Sequence, residues 1–248
     1  MHADADPRFI ELVGAGNVRD LGGLPAAGGG RTRRGRLLRS DFLRTLGPAD
    51  EAALLERFGL RTVIDLRTAG EVERHPGPWA ERGLDVVRAT LPLDPAFVAT
   101  GPEDMARLYL EFLDSTPMAA ALAVAIDPSR HPLLIHCSAG KDRTGVLVSL
   151  VLELAGVERA AIVADYVLTH ARMPAVIARL EAEAVREPTP NLPQVMFGAD
   201  EPTIGRFLEG LDERYGGARG WALERGVDAD LIDAFAAAMT APPPSPDR

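Results

Sequence analysis

Cys137 and Arg143 stand six positions apart in the stretch His136-Cys137-Ser138-Ala139-Gly140-Lys141-Asp142-Arg143-Thr144-Gly145. A cysteine is a nucleophile as its thiolate, and a neighbouring cation, a ring of backbone N–H groups and a helix N-terminus all favour that form. The small and polar residues between the two suit a loop that wraps a tetrahedral anion, with the N–H groups of Ser138, Ala139, Gly140, Lys141, Asp142 and Arg143 as donors. The planar fork of an arginine matches two oxygens of a phosphoryl group. Attack of the thiolate on phosphorus would give a covalent phosphocysteine. Thr144 can donate its hydroxyl to the cysteine sulfur, and His136, directly before the nucleophile, fits a role in ordering the loop better than one in proton transfer. Cys137 is the only cysteine of 248 residues and Lys141 the only lysine among 27 basic residues.

Positioning such a loop requires a strand before it and a helix after it. Pro132 to His136 is a short apolar run that fits a central strand. Gly145 to Ala155 is apolar almost all round, the pattern of a buried helix that Gly156 stops. Strand, loop and helix together aim backbone N–H groups and a helix N-terminus at one point. Arg61 to Leu66 and Leu84 to Leu93 read as further strands, and Gly28 to Gly30 as a tight turn ahead of another, Arg36 to Arg39. Pro48 to Phe58 reads as a short amphipathic helix. Thr100, Pro102 and Glu103 form the pattern of a capping box opening a helix, on which Met105, Leu108, Tyr109, Phe112 and Leu113 share a face. A further helical stretch ends at Asp127-Pro128. Strands interleaved with helices make the chain an α/β protein. From Val157 onward the pattern is helical, interrupted by the proline-rich stretch from Glu187 to Pro193, which fits either a mobile cover or a plain surface loop. Residues 241–248, with four prolines, read as a disordered tail.

The composition narrows the class. With 46% hydrophobic residues the chain can bury a full core. A net charge of −9 argues against broad nucleic-acid or anionic-membrane binding. The arginines crowding residues 31–44 fit a solvated face or a device for attracting an anionic substrate. A single cysteine forms no internal disulfide and matches no zinc spacing, which favours a reducing, cytoplasmic setting. The N-terminus lacks the basic head and apolar stretch of a signal peptide. The longest apolar run, Met118 to Ile126, falls short of the roughly 20 residues that span a bilayer. The chemistry requires no metal and no cofactor.

The stretch around Cys137 resembles the cysteine-dependent protein tyrosine phosphatase superfamily. It is similar, more narrowly, to the bacterial tyrosine phosphatase family typified by the mycobacterial secreted phosphatase B. Lys141-Asp142 before the arginine, the Asn-x-Arg-Asp-x-Gly-Gly segment from Asn17 to Gly23, Arg39-Ser40-Asp41 and Asp65-Leu66-Arg67 all carry the likeness, which spans roughly residues 9 to 170. It implies one domain over residues 1–240, a central, mostly parallel sheet flanked by helices, and a helical lid-like part over roughly 172–226. It also implies phosphomonoester hydrolysis on a phosphorylated protein or a phosphoinositide, with Lys141 and Arg67 adding positive charge beside the phosphate.

A phosphatase of this kind needs a general acid for the leaving oxygen. Asp142, inside the loop as in the myotubularin phosphatases, ranks first. Asp65, at the end of a strand expected beside the catalytic one and favoured by the resemblance, ranks second. Asp94, in Pro92-Leu93-Asp94-Pro95, ranks third. Two other readings stay open at this level: a sulfurtransferase with its cysteine in an anion-binding loop, and a phosphate-binding module without turnover.

Overall fold

The computed structural model describes residues 6–94, 96–183 and 193–242. Its sheet strands are β1 (Arg19–Asp20), β2 (Arg31–Thr32), β3 (Leu37–Ser40), β4 (Thr62–Asp65), β5 (Asp85–Arg88), β6 (Leu133–His136) and β7 (Thr240–Ala241). Its helices are α1 (Pro48–Glu51, continued by a π turn over Ala52–Arg57), α2 (Ala69–Arg74), α3 (Pro102–Phe112), α4 (Thr116–Ala125), α5 (Asp142–Leu154), α6 (Arg159–Ala182), α7 (Glu201–Tyr215), α8 (Ala218–Glu224) and α9 (Ala229–Met239).

Five strands form the main sheet in the order β1-β3-β6-β4-β5. Pairing is parallel except for the short β1 on one edge. The apolar run expected to be central is central: β6 has a parallel neighbour on each side. Alternation along the strands splits their side chains between two cores. Leu37, Ile64, Leu133 and Ile135 join the large cluster on one face, with α3, α4, α5, α7, α8 and α9. Leu38, Val63 and Leu134 join the smaller cluster on the other, with Val18, Leu54 and Trp79. Each such fully buried aliphatic side chain contributes about 1.5–3 kcal/mol. α5 lies under the sheet with Val146 to Leu152 buried on every side, as its sequence pattern requires.

Register fixes the location of the site. Ser40, Asp65 and His136 are level across three adjacent strands, with Arg88 beyond Asp65. The residues that follow, Asp41, Leu66-Arg67 and Cys137, therefore leave the sheet together at its C-terminal edge, where parallel α/β sheets bind ligands.

Several expectations are corrected. The turn at Gly28 to Gly30 leads into β2, which pairs with β7, so Ala241 belongs to a strand and the expected tail shortens; residues 243–248 lie outside the described ones. The capping box at Thr100 is absent: Gly101 caps α3 without a side chain, and Thr100 instead binds Asp104. A complete capping box stands at Thr68–Glu71 on α2. Within residues 172–226, expected as a helical lid-like part, Ile204, Phe207 and Leu211 of α7 and Trp221 of α8 are core residues. Most of the proline-rich stretch, through Leu192, lies outside the described residues. No single helix among the described residues is long and apolar enough to cross a membrane.

Candidate active site

β6 ends at His136 and α5 begins at Asp142, three residues earlier than its apolar stretch suggests. The loop between them turns through Gly140, whose φ is +67°. A Cβ there would lie 2.5 Å from the Ser40 carbonyl oxygen, so only glycine fits. The loop's carbonyls are held by surrounding donors. Phe42 N–H donates to Ser138 O at 2.9 Å, and Asn17 Nδ2 to the carbonyls of Ala139 and Gly140, both at 3.3 Å. Arg39 Nη2 donates to Gly140 O at 2.7 Å. The N–H groups of Ser138 to Lys141 take no acceptor among the described residues. Carbonyls bound from outside and N–H groups left unused are what a nest for an oxyanion needs.

The donors are themselves anchored. Asp165 of α6 receives Arg19 Nε at 2.9 Å, Arg39 Nη1 at 2.7 Å and Arg8 Nη1 at 3.0 Å, and Arg19 Nη1 donates to Asn17 Oδ1 at 2.6 Å. Burial pushes the Asp165 carboxyl up, but Arg19 and Arg39 outweigh it and hold it well below the ordinary carboxylate range. Burial and the neighbouring Arg39 charge pull Arg19 down to about 10. Asp41 closes the knot, accepting the N–H groups of Gly16 and Asn17 and Nη2 of Arg179. The Asn17–Gly23 and Arg39–Asp41 motifs therefore fasten the loop from outside.

Cys137 is a free thiol, 2% exposed, at the floor of the cavity described below. Arg143, in the first turn of α5, meets a partner that sequence reasoning missed. Glu71 of α2 accepts Arg143 Nη1 at 2.7 Å and Nη2 at 3.1 Å, receives the Ser138 hydroxyl, and takes the Thr68 N–H at 2.7 Å through its capping box. Burial pushes Glu71 up, yet Arg143 holds it far below the ordinary carboxylate range. Arg143 Nε takes no partner among the described residues, which leaves the side edge of the fork for a ligand. The signal was present as Thr-x-x-Glu directly after a strand, the sequence form of a capping box. The Thr144 hydroxyl is buried without a partner among the described residues, and no bond from it to the cysteine sulfur is formed in this structure.

The two leading acid candidates separate clearly. Asp65 and Arg67 are both buried and bound to each other at 2.6 Å. The Arg67 guanidinium also donates to His75 O at 2.7 Å and stacks 3.8 Å from the Phe42 ring centroid. Burial pushes Asp65 up, but the His136 and Arg67 side chains bring it below its ordinary value. Neither residue of the pair, the second-ranked acid and the expected neighbouring charge, is among those lining the cavity. His136 accepts from Trp79 Nε1 at 3.2 Å and so donates through Nδ1 to Cys137 O at 3.0 Å. Burial pushes its imidazole down, and both ring nitrogens are engaged beside the nucleophile.

Asp142 lies on the cavity wall, 28% exposed. Its Oδ1 accepts the Tyr109 hydroxyl at 2.6 Å, and Tyr109 meets the Tyr166 hydroxyl at 2.7 Å. Burial, then the Asp142 charge, raises Tyr109 well above the ordinary phenol value, so it remains a donor. Lys141 departs from expectation. Its ammonium donates to the carbonyls of Met196 at 2.8 Å and Gly198 at 3.0 Å and lies 3.3 Å from Asp142 Oδ1. With its ammonium bound to these acceptors and its side chain 1% exposed, the Lys141 side chain braces the wall of the cavity, while its backbone N–H stays with the loop donors. Asp94 sits at the exposed rim, where it binds the Ala96 N–H.

The cavity measures about 420 Å³. Cys137, Ser138 and Arg143 line its floor, and Asp142 and the apolar Phe97, Leu108, Met173, Ile177 and Met196 are among the residues of its walls. A buried thiol under unused N–H groups, beside an arginine fork and a reachable carboxylate, is the site of a phosphatase that works through cysteine. The comparisons carry this to a family. Residues 10–241 match the model of the tyrosine phosphatase family. The chain is 30% identical over 269 residues to the triple specificity protein phosphatase PtpB of Mycobacterium tuberculosis, covering 90% of this chain and 96% of that one. It is 29% identical over 262 residues to a tyrosine-protein phosphatase of Nostoc commune, covering 93% and 88%. A shorter match, 40% identical over 58 residues and covering 23% and 22%, is to the inositol diphosphatase DSP2 of Arabidopsis thaliana. The chain belongs to the tyrosine phosphatase family and is a cysteine-dependent phosphomonoester hydrolase.

Proposed function

We propose that the protein hydrolyses phosphotyrosine in proteins, with Cys137 as nucleophile, Arg143 as the phosphate clamp and Asp142 as general acid. The observation that carries this reading is the contrast between the two aspartates: Asp142 is open to the cavity beside Cys137 with one oxygen fixed by Tyr109, whereas Asp65 is sealed against Arg67. The Cys137 thiolate attacks phosphorus, forming the S–P bond as the ester P–O bond breaks. Asp142 gives its proton to the departing oxygen. A water then attacks the phosphocysteine, its proton passes to the Asp142 carboxylate, and the S–P bond breaks to release inorganic phosphate and the thiolate. Arg143 and the loop N–H groups stabilise the equatorial oxygens in both steps.

The walls support an aryl leaving group. A phenyl ring between the thiol and the rim would pack on Phe97, Leu108 and Ile177, burying apolar surface that a serine phosphate lacks. With the Lys141 ammonium committed to carbonyls, the guanidinium of Arg143 is the cation left to the floor beside Cys137. The test is a panel of phosphotyrosyl, phosphoseryl and phosphothreonyl peptides and a phosphoinositide, run with wild type and Asp142→Asn. Phosphotyrosyl peptide should lead in kcat/KM. Asp142→Asn should lose far more on alkyl phosphates than on an aryl phosphate with a good leaving group. Equal losses on both would remove Asp142 from the acid role, and a lead for the inositol substrate would overturn the substrate assignment.

A further inference from the structure

Beside the catalytic cavity lies a second one of about 430 Å³, lined by Arg44, Arg74, His75, Pro76, Pro78 and Arg82 among others. Arg74, at the end of α2, borders both cavities and folds back along its helix, with Nη1 3.5 Å from the point a Gly70 Cβ would occupy. The charges here are unevenly matched. Arg82 is paired with Glu51 and Glu81. Arg44 donates to the Glu183 carbonyl and has no acidic partner among the described residues. Arg74 has no acidic partner among the described residues. The wall between them is preformed: Arg67, stacked on Phe42, holds the His75 carbonyl, and prolines flank Gly77. In a chain with a net charge of −9, two guanidinium groups without acidic partners among the described residues line this second cavity, and Arg74 joins it to the catalytic one.

We infer that Arg44 and Arg74 form an anion subsite for a carboxylate of the substrate protein, an Asp or Glu a few residues from the phosphotyrosine. A guanidinium fork takes a carboxylate side-on through two N–H donors, and an extended chain with its phosphotyrosine in the apolar cavity reaches the adjoining one within a few residues. The inference rests on the phosphotyrosyl reading above and adds to it a preference for acidic sequence around the phosphate.

The experiment compares phosphotyrosyl peptides that carry Glu or Asp near the phosphotyrosine with partners carrying Gln or Asn, using wild type, Arg74→Gln, Arg44→Gln and the double variant. Wild type should favour the acidic peptides in kcat/KM by about 1.5-fold to fivefold per arginine engaged, the range of an exposed ion pair. The preference should shrink as salt is raised, and the acidic-to-neutral ratio should approach one in the double variant. A wild-type ratio of one, or a preference that survives loss of both arginines, overturns the subsite while leaving phosphotyrosine hydrolysis intact. Failure to hydrolyse any phosphotyrosyl peptide while a phosphoinositide is turned over would instead overturn the reading beneath it.

Discussion

Glu71→Gln is the substitution that separates two meanings of the carboxylate on Arg143. Glu71 makes four bonds: two from the Arg143 fork, one from the Ser138 hydroxyl and one from the Thr68 N–H. An amide of the same shape keeps a single acceptor oxygen and turns an NH2 group toward donors, so at least two bonds and the charge are lost. Hydrogen bonds to charged groups contribute about 1.5–3 kcal/mol each, and breaking a buried pair costs about 3–5 kcal/mol. Glu71 is 21% exposed and Gln retains part of the contact, so about 2–3 kcal/mol of folding stability should go. Arg143 stays in the loop without its anchor. Outright loss of a transition-state donor costs about 10²–10³ in rate; a loosened one should cost about 10- to 100-fold in kcat, with a smaller change in KM.

The pH dependence follows from the direction of the shift. The folded-state carboxyl lies far below its ordinary value of 4.5, so its contribution is fully present above that pH and is lost as pH falls below it. Urea unfolding should show the wild type more stable than Glu71→Gln at neutral pH, with the gap narrowing below about pH 4.5. The reasoning fails if the variant turns over an aryl phosphate as fast as wild type while binding inorganic phosphate more tightly. That result would mean the carboxylate competes for the substrate's place and does not orient the fork.

Three further outcomes are expected. Asp165→Asn should lower stability by about 3–5 kcal/mol, because it removes the shared counter-charge of Arg8, Arg19 and Arg39 in a buried knot; a change under about 1 kcal/mol in chemical unfolding would refute that anchoring role. Tyr109→Phe keeps the ring but removes the hydroxyl donor from Asp142 Oδ1, leaving only the Lys141 ammonium there, so kcat should fall about threefold to tenfold on poor leaving groups and much less on good ones, since a hydrogen bond of this kind contributes about 1 kcal/mol. Lys141→Met should raise KM for bulky aryl phosphates about fivefold while inhibition by vanadate stays within about twofold of wild type, as expected if the ammonium braces the 196–198 wall and leaves the phosphate alone; weakened vanadate binding would restore the direct role.

The strand–loop–helix unit was legible because its signals are local: an apolar run of strand length, a loop without bulky residues, and a helix apolar all round. Cys137 and Arg143 lie within that unit, so their spacing in the chain already describes their placement in space. What escaped depends on contacts between distant segments. α2 is six residues of Ala, Gly, Val, two Glu and an Arg, too short and too polar for periodicity to register, yet it delivers Glu71 to Arg143 across 72 positions. The Asn17 and Arg39 motifs were visible as motifs, but their common anchor, Asp165, lies on a helix that sequence reasoning read only as helical. The capping box sought at Thr100 failed because a second acid, Asp104, was better placed for the Thr100 N–H.

The aspartates show why residue type alone left the acid open. Asp65 and Asp142 each stand next to a basic residue or one position from it, and each ends up at the sheet's C-terminal edge. The difference lies in the direction taken by the neighbour. Arg67 turns inward, stacks on Phe42 and takes Asp65 with it. Lys141 turns toward the 196–198 segment, binds its carbonyls and keeps Asp142 at the cavity. One lysine thereby joins the position of the acid to the wall against which a substrate ring would pack. It follows that substitutions in that wall, such as Met196→Ala, should disturb proton donation as well as substrate binding, and should do so more strongly for poor leaving groups than for good ones in a leaving-group series.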